Sequence, residues 1–455
     1  MTDLPPTQSD GNPITPRPDL CPCPPRRPRI GRDSAGRGRR GAGPFSLRTQ
    51  QPVLHHANRS TGPPRQRPRK DARHHLCAQL CQRRKPWHSV LLLRRRSGRV
   101  RLASVDNYLS AFDEGLTDYI DIVFVDQRCV GAGRGLSCPM AQARFDSATV
   151  SLDAPEAALA TAKGYVRDCV AELDAEELLP AVNSDQAIRD FEAFRQAIGS
   201  PKVWLYGESY GTQVAQAYAT TYPQAVRGVI LDGVVDLSLG AERFYASYTT
   251  ASERLLTRMF DACAALAACA GDLDGDPAKT CDDLAARLAV APIPVDLRLS
   301  DGSIAKRDLT TAFLEGNAFY ALYSPEGRAG FLRVLAAAGR GNLAPMLRLG
   351  YSNMYIDPET EAPVEDPGWY PAAFYAITCT DYDSGPGTAD ERAAAILEEA
   401  RAFAPNAPRL LRVYFVERLA CAYWPHQGPS TRSASCPRLP SARLGIVCMV
   451  RLATT

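Results

Sequence analysis

The middle of the chain alternates between short apolar runs and longer segments whose apolar residues recur every three or four positions. Short apolar runs between turn residues indicate buried strands, whereas the longer spacing indicates amphipathic helices. The predicted strands are residues 120–126, 203–206 and 228–232, and the predicted helices are residues 155–173, 185–198 and 213–222. Strands and helices that alternate in this order predict a parallel sheet with right-handed crossovers.

The strand signal fades between residues 236 and 385, where amphipathic helices dominate. The predicted helices there are residues 241–268, 279–288, 310–323 and 327–339, and another follows over residues 390–404. Such an insertion is typical of a helical cap over a sheet. For the helix over residues 185–198, Ser184 is the expected N-cap and Gly199 the expected C-cap.

Charge divides the chain into three parts. Residues 1–102 carry 23 Lys and Arg against 5 Asp and Glu, residues 103–427 carry 26 against 45, and residues 428–455 carry four arginines and no acid. The first part is proline-rich and, apart from residues 90–93, has neither helical nor strand periodicity. We therefore expect residues 1 to about 100 to be poorly ordered and to contact the core little.

A basic arm is also typical of a protein that tethers nucleic acid. The only Phe, Tyr or Trp side chains in this arm are Phe45 and Trp87, so it has few groups on which bases stack. No run approaches the roughly 18 apolar residues of a membrane-spanning helix. The polar opening residues also lack the apolar stretch of a secretory signal. We therefore expect neither nucleic acid nor a membrane as a partner.

The segment VWLYGESYGTQVAQAYA places G-E-S-Y-G between a predicted strand and an alanine-rich helix. This is the context of a nucleophile elbow, with Ser209 as the candidate nucleophile. Gly207 and Gly211 allow the strand and the helix to approach closely. The backbone amide of Tyr210 is a candidate oxyanion donor at a helix N-terminus, which favours negative charge. Glu208 is expected either to bind the ammonium group of a substrate or to stabilise the turn at Ser209.

Four segments carry a family resemblance: FVDQRCVGAGRGLSCP (124–139), LYGESYGTQVAQAYATTYPQAVRGVILDGVVD (205–236), AITCTD (376–381) and CAYWP (421–425). Together they resemble the α/β-hydrolase serine peptidases of the tripeptidyl aminopeptidase and proline iminopeptidase group. The resemblance implies an α/β-hydrolase fold, a mostly parallel sheet with an inserted helical cap. It also implies release of N-terminal residues or short peptides, or cleavage of a small amide or ester, by a Ser, Asp, His triad without metal or other cofactor.

This resemblance divides the chain into five segments. They are a basic arm (1–102), the hydrolase core (103–236), the helical cap (237–385), a return toward the core (386–427) and a tail in place of the family's acid and base segment (428–455).

Both ends depart from the family's pattern, and we expect the chain to be damaged there. LLLRRRSGRVRLA stands where the family has a glycine-rich oxyanion loop, Cys129 stands where it has a glycine, and no Asp or His follows His426. His426 and Asp232 are the remaining candidates for base and acid, although Asp232 at a strand end also fits a structural role. Two functions stay open: a serine exopeptidase that forms an acyl-enzyme on Ser209, and a catalytically defective protein of the same fold. A third hypothesis is a module that binds nucleic acid through its basic arm.

Eight of the 14 cysteines lie in the matched region, without the paired C-x-x-C spacing of a zinc site. The resemblance implies three disulfides, Cys138–Cys169, Cys263–Cys269 and Cys379–Cys421. Disulfides are typical of exported proteins, so cysteine usage suggests an extracytoplasmic location although no signal sequence is visible.

Overall fold

A computed structural model describes the backbone of residues 76–79, 89–93 and 446–449, and residues 108, 112, 120–131, 135–173, 176–364 and 368–427 in full. All of these residues belong to one unit, Pro68–Thr455. The strands are β1 (Leu76–Gln79), β2 (Ser89–Leu93), β3 (Asp121–Val125), β4 (Val203–Glu208), β5 (Val226–Asp232), β6 (Ile293–Arg298), β7 (Ile304–Leu309) and β8 (Ile446–Met449).

Six of these strands form one sheet in the order β1–β3–β2–β4–β5–β8. The neighbours pair in parallel except β1, which is antiparallel to β3. Four of the five described residues of β3 are buried, whereas β4 alternates between buried and partly buried positions. The predicted, mostly parallel sheet is confirmed.

Helices make up most of the remaining described residues. They are α1 (Pro139–Ser147), α2 (Pro155–Glu172), α3 (Ser184–Ala197), α4 (Tyr210–Thr221), α5 (Ala241–Ala264), α6 (Ala267–Asp272), α7 (Pro277–Val290), α8 (Thr311–Ala321), α9 (Pro325–Gly339), α10 (Ala344–Asn353), α11 (Pro371–Asp381), α12 (Ala389–Phe403) and α13 (Leu411–Tyr423). Within the described ranges, no helix combines the length and apolarity that crossing a membrane requires.

Two strands fall inside the segment that we expected to be poorly ordered. β2 lies between β3 and β4 and pairs in parallel with both, and β1 pairs with β3. For these residues the expected lack of contact with the core is wrong. The run SVLLL is short and followed by arginines, and its partners are strands far along the chain, so local periodicity does not reveal its place in the sheet. The rest of residues 1–102 lies outside the described residues.

The cap contains a hairpin that the sequence did not indicate. β6 and β7 pair antiparallel with each other. Val295 and Leu297 of β6 belong to a hydrophobic cluster that also contains Phe313 and Phe331. Only these alternate positions of β6 are buried, so the apolar signal is too sparse to stand out among helices. The helix expected over residues 241–268 is two helices, α5 and α6.

The start of α3 differs by one residue from the expectation. Asn183, not Ser184, is the N-cap, and its side-chain oxygen accepts a hydrogen bond from the amide of Gln186 at 2.9 Å. Ser184 is the first helical residue, and its hydroxyl is used elsewhere, as described below. At the other end, Gly199 has a φ of +67°, the left-handed conformation that commonly ends a helix.

Three disulfides join helices of the fold, and they are the pairs that the family resemblance implies. Cys138–Cys169 connects the start of α1 to α2, Cys263–Cys269 connects α5 to α6, and Cys379–Cys421 connects α11 to α13. Two other cysteines in the described ranges, Cys129 and Cys281, are buried free thiols.

The disulfides should differ in how much they stabilise the fold, because a longer closed loop restricts the unfolded chain more. Cys379–Cys421 spans 42 residues and Cys263–Cys269 spans 6. We expect the Cys379→Ala, Cys421→Ala double variant to lose about 4 kcal/mol of unfolding free energy, and Cys263→Ala, Cys269→Ala about 2 kcal/mol. Urea unfolding of the oxidised proteins measures both. An equal or larger loss from opening the short loop would contradict this loop-length argument.

Candidate active site

Ser209 lies at the sharp turn between β4 and α4 and has a left-handed backbone, with φ +54° and ψ −122°. This region is costly for any residue with a Cβ atom and persists only when neighbours hold it. Here the amide of Ser209 donates to the carbonyl of Asp232 at 2.7 Å. The amide and hydroxyl of Thr212 both donate to the carbonyl of Ser209, at 2.9 and 2.6 Å. The strained turn is therefore held from both sides.

A glycine makes this turn geometrically feasible. A Cβ atom on Gly207 would lie 2.7 Å from the carbonyl carbon of Gly211 and 2.8 Å from the Cα of Thr212. Both neighbours are backbone atoms, which cannot rotate away. The first turn of α4 can therefore pack directly on the end of β4 only when residue 207 has no side chain.

Ser209 and Tyr210 line a cavity of about 270 Å³ beneath the helical cap. Twelve of its lining residues are aromatic: ten belong to the cap, and the other two are Phe145 of α1 and Tyr210 of α4. Phe244 and Tyr248 of α5 stack on each other, and the Tyr248 hydroxyl lies 2.8 Å from that of Tyr323. Nearly half of the residues that line the cavity are thus aromatic, and Ser209 is one of the others.

Three carboxyl groups and one guanidinium also line the cavity: Asp146, Glu315, Glu417 and Arg412. Burial raises the pKa of Asp146 to about 6 and that of Glu315 to about 7, although Arg412 opposes both shifts. Glu417 accepts a hydrogen bond from the hydroxyl of Tyr245 at 3.0 Å. Three acids against one base leave an excess of negative charge once all three are ionised.

The guanidinium of Arg412 is already engaged with the backbone. It donates to the carbonyls of Ala148, Phe145 and Asp146 at 3.0, 3.2 and 3.3 Å, so it satisfies the C-terminal carbonyls of α1. A cation is favourable there because the helix dipole is negative at that end. Its backbone amide also donates to the carboxyl of Glu315 at 3.1 Å.

Glu208, Asp232 and His426 are absent from the described residues that line this cavity. Glu208 accepts a hydrogen bond from the Tyr108 hydroxyl at 2.7 Å, and Asp232 accepts one from the Tyr206 hydroxyl at 3.2 Å. His426 is partly buried, and its backbone carbonyl accepts a hydrogen bond from Thr380 at 3.3 Å.

The turn after β3 is held to α3 by an ion pair. Arg128 donates to both carboxylate oxygens of Asp190, each at 2.6 Å. Cys129, where the family resemblance leads one to expect glycine, has a left-handed φ of +61° and is fully buried. Burial raises the pKa of its thiol to about 11, so the thiol is neutral at physiological pH.

Sequence reasoning missed the acidic groups of the cavity and also Asp381. Asp146, Glu315 and Glu417 lie on three separate helices, and no local motif connects them. Asp381 stands in the segment AITCTD, at the end of a helix in which it is the only charged residue, and a carboxylate in such a position is the one signal that the sequence offered.

Adding one methyl group at Gly207 should disrupt the packing of α4 on β4. We expect Gly207→Ala to lose about 1 to 3 kcal/mol of unfolding free energy, the usual range for overpacking. The matched control is Gly164→Ala within α2, where an added Cβ meets nothing within 4 Å and helix propensity favours alanine by about 0.5 to 1 kcal/mol. Chemical denaturation measures both, and a Gly207→Ala protein as stable as the parent would disprove the close approach.

Residues 102–255 match the sequence profile described as the alpha/beta hydrolase fold. Serine protease Hip1 of Mycobacterium tuberculosis (strain ATCC 25618 / H37Rv) is 30% identical over 165 residues, 36% of this chain and 31% of Hip1. Tripeptidyl aminopeptidase of Streptomyces lividans is 31% identical over 123 residues, 26% of this chain and 22% of that protein.

The chain thus spans less than a third of the length of the curated relatives that it matches. An alpha/beta hydrolase from a Medee basin deep-sea metagenome library overlaps 62% of this chain and 68% of its own, with 11% identity and a TM-score of 0.24. The profile match and the parallel sheet agree, and the chain has the α/β-hydrolase fold predicted from its sequence.

Proposed function

We propose that the chain is a serine hydrolase that cleaves short peptides, or related amides and esters, near a free N-terminus. The observation that carries this proposal is that Ser209 and three carboxyl groups line the same cavity, together with twelve aromatic residues. The serine supplies a nucleophile, and the negative charge of the carboxyl groups would attract the ammonium group of a substrate. The serine protease and tripeptidyl aminopeptidase among the relatives support the same class.

In the proposed reaction, the Ser209 hydroxyl attacks the substrate carbonyl and forms an ester while the bond to the leaving group breaks. The serine proton passes to a base and then to the departing amine, and water releases the acyl group in a second step. The backbone amide of Tyr210, at the N-terminus of α4, would donate to the developing oxyanion. His426 and Asp232 remain the candidates for base and acid, and each would have to act from outside the described lining.

The charge of the cavity supports specificity for a free N-terminus. A substrate ammonium would partly neutralise Asp146, Glu315 and Glu417, whereas the guanidinium of Arg412 is held by three carbonyl groups. Aromatic rings also attract a cation over their faces. An N-acylated peptide has no such charge and would leave these partly buried carboxyl groups uncompensated.

Three disulfides favour an oxidising compartment as the place of action. Structural disulfides persist outside the reducing cytosol, and here they connect three pairs of helices, α1 with α2, α5 with α6 and α11 with α13. We therefore propose that the folded protein works extracytoplasmically.

A second candidate function is a hydrolase-fold protein that binds peptides but hardly turns them over. His426 favours it, because this is the only histidine after residue 88 in the sequence and it lies outside the described lining of the cavity. Without a base, catalysis would fall to the roughly 10³ to 10⁴-fold over water that binding and the oxyanion site supply.

Labelling with a fluorophosphonate probe tests Ser209 as the nucleophile. We expect the parent protein to be labelled and Ser209→Ala not to be, while Ser200→Ala, which changes a half-buried serine outside the described lining of the cavity, should label like the parent. Intact-protein mass spectrometry measures the adduct. Labelling that survives Ser209→Ala would remove this residue from the mechanism.

Hydrolysis of chromogenic substrates with free N-termini separates the two candidate functions. Turnover by the parent protein above that of Ser209→Ala supports the peptidase. Loss of this turnover in His426→Ala would identify His426 as the base. Because an incomplete triad leaves only the residual catalysis given above, we expect slow turnover. Peptide binding without any turnover above Ser209→Ala would support the second candidate.

Binding of a peptide ammonium should depend on pH and on the cavity acids. The measurement uses the Ser209→Ala protein as background, so that no peptide is turned over. In this background we expect Glu417→Gln to lower the affinity for a tripeptide with a free N-terminus about tenfold, and to leave the affinity for the N-acetylated tripeptide unchanged. Because the pKa values of Asp146 and Glu315 are raised to about 6 and 7, affinity should fall as the pH drops through this range. Calorimetry measures the affinities.

The control for this measurement is Glu326→Gln, which changes an exposed carboxyl on α9 and should leave both affinities unchanged. Equal binding of free and acetylated peptides by the parent protein would rule out recognition of the ammonium group.

A further inference from the structure

Asp381 is a buried carboxyl, 1% exposed, at the last residue of α11. It accepts hydrogen bonds from the amide of Ser184 at 3.1 Å, the hydroxyl of Ser184, the side-chain amide of Gln213 at 2.9 Å and the hydroxyl of Tyr210 at 3.3 Å. A buried carboxylate is tolerated when several donors surround it. These four donors belong to α3 and α4, so one side chain joins three helices.

The network reaches the residue that follows Ser209. The hydroxyls of Tyr210 and Ser184 lie 2.6 Å apart, so the Tyr210 ring is held by two groups of the same cluster. On the far side, Gln213 accepts a hydrogen bond from Tyr382 at 3.4 Å. Tyr210 and Tyr382 both line the cavity. The cluster therefore connects the first turn of α4 with the part of the wall contributed by α11 and the residue after it.

We infer that Asp381 is a positioning residue, which fixes the Tyr210 side chain and thereby the backbone of the β4–α4 turn. The inference rests on the proposed function, because the turn carries the serine and the amide assigned there to catalysis. Asp381 acts through Tyr210 and Ser184. A change at residue 381 should accordingly alter the order of the turn and the rate of acylation rather than the affinity for substrate.

A merely structural tie between α3 and α4 is the alternative, and the protein contains one for comparison. Glu192 of α3 accepts a hydrogen bond from the hydroxyl of Tyr218 of α4 at 2.6 Å and pairs with Arg195. It joins the same two helices as Asp381, at the opposite end of α4 from Ser209. Glu192→Gln and Tyr218→Phe are therefore matched controls for Asp381→Asn and Tyr210→Phe.

Hydrogen exchange of the native protein tests the inference without requiring catalysis. The amide of Ser209 donates to the carbonyl of Asp232, and the amide of Thr212 donates to the carbonyl of Ser209. Mass spectrometry of peptides covering residues 205–215 follows both amides. We expect exchange at these amides to accelerate about tenfold in Asp381→Asn and in Tyr210→Phe, because each variant loses a hydrogen bond to a charged group. The two controls should leave these amides unchanged. Tyr210→Phe keeps the ring and should fold even where Asp381→Asn does not.

Kinetics give the second readout. We expect both variants to lower kcat and the rate of fluorophosphonate labelling about tenfold at unchanged KM, less than the roughly 10² to 10³-fold loss on removing an oxyanion donor. Unchanged exchange in Tyr210→Phe, or equal acceleration in the two controls, would overturn the inference. A parent protein that neither labels nor turns over would instead overturn the proposed function, and exchange would still decide the role of Asp381.

Discussion

The close contact between β4 and α4 is the constraint on which the rest of the site depends. The missing side chain of Gly207 lets the two elements touch, and the chain between them must then turn within one residue, which forces Ser209 into a left-handed conformation. Hydrogen bonds to Asp232 and from Thr212 offset the cost of that conformation. The serine is thereby held at the cavity on rigid elements, as precise chemistry requires.

The charges around the cavity follow from helix packing. α13 contributes both Arg412 and Glu417, and the disulfide between Cys379 and Cys421 joins it to α11, which ends at Asp381. Two of the four charged lining groups, and the Asp381 carboxyl that accepts hydrogen bonds from α3 and α4, thus come from two helices that are covalently joined. Hydrophobic burial holds the same pair, because Tyr375 of α11 packs against Trp424 at the end of α13.

The sequence was informative where structure is local. Strand-helix alternation predicted the parallel sheet, and the G-E-S-Y-G segment marked the turn at Ser209. It was uninformative where distant segments meet. β2 has its neighbours more than 25 residues away, and the cavity acids are separated from one another by up to 271 positions, from Asp146 to Glu417. Such long-range contacts leave no local sequence pattern. At the start of α3 the error was local, because Asn183 and Ser184 are both common N-cap residues and the cap was assigned one residue too late.

The engagement of Arg412 with the end of α1 has a consequence for the fate of products. Under the proposed chemistry, hydrolysis of the acyl group creates a new carboxylate on the fragment that still occupies the cavity. The one guanidinium of the described lining is already held by three carbonyl groups, and the remaining charged groups there are acidic. Like charges at low dielectric repel strongly, so under this proposal the new carboxylate would weaken binding of the fragment and favour its release.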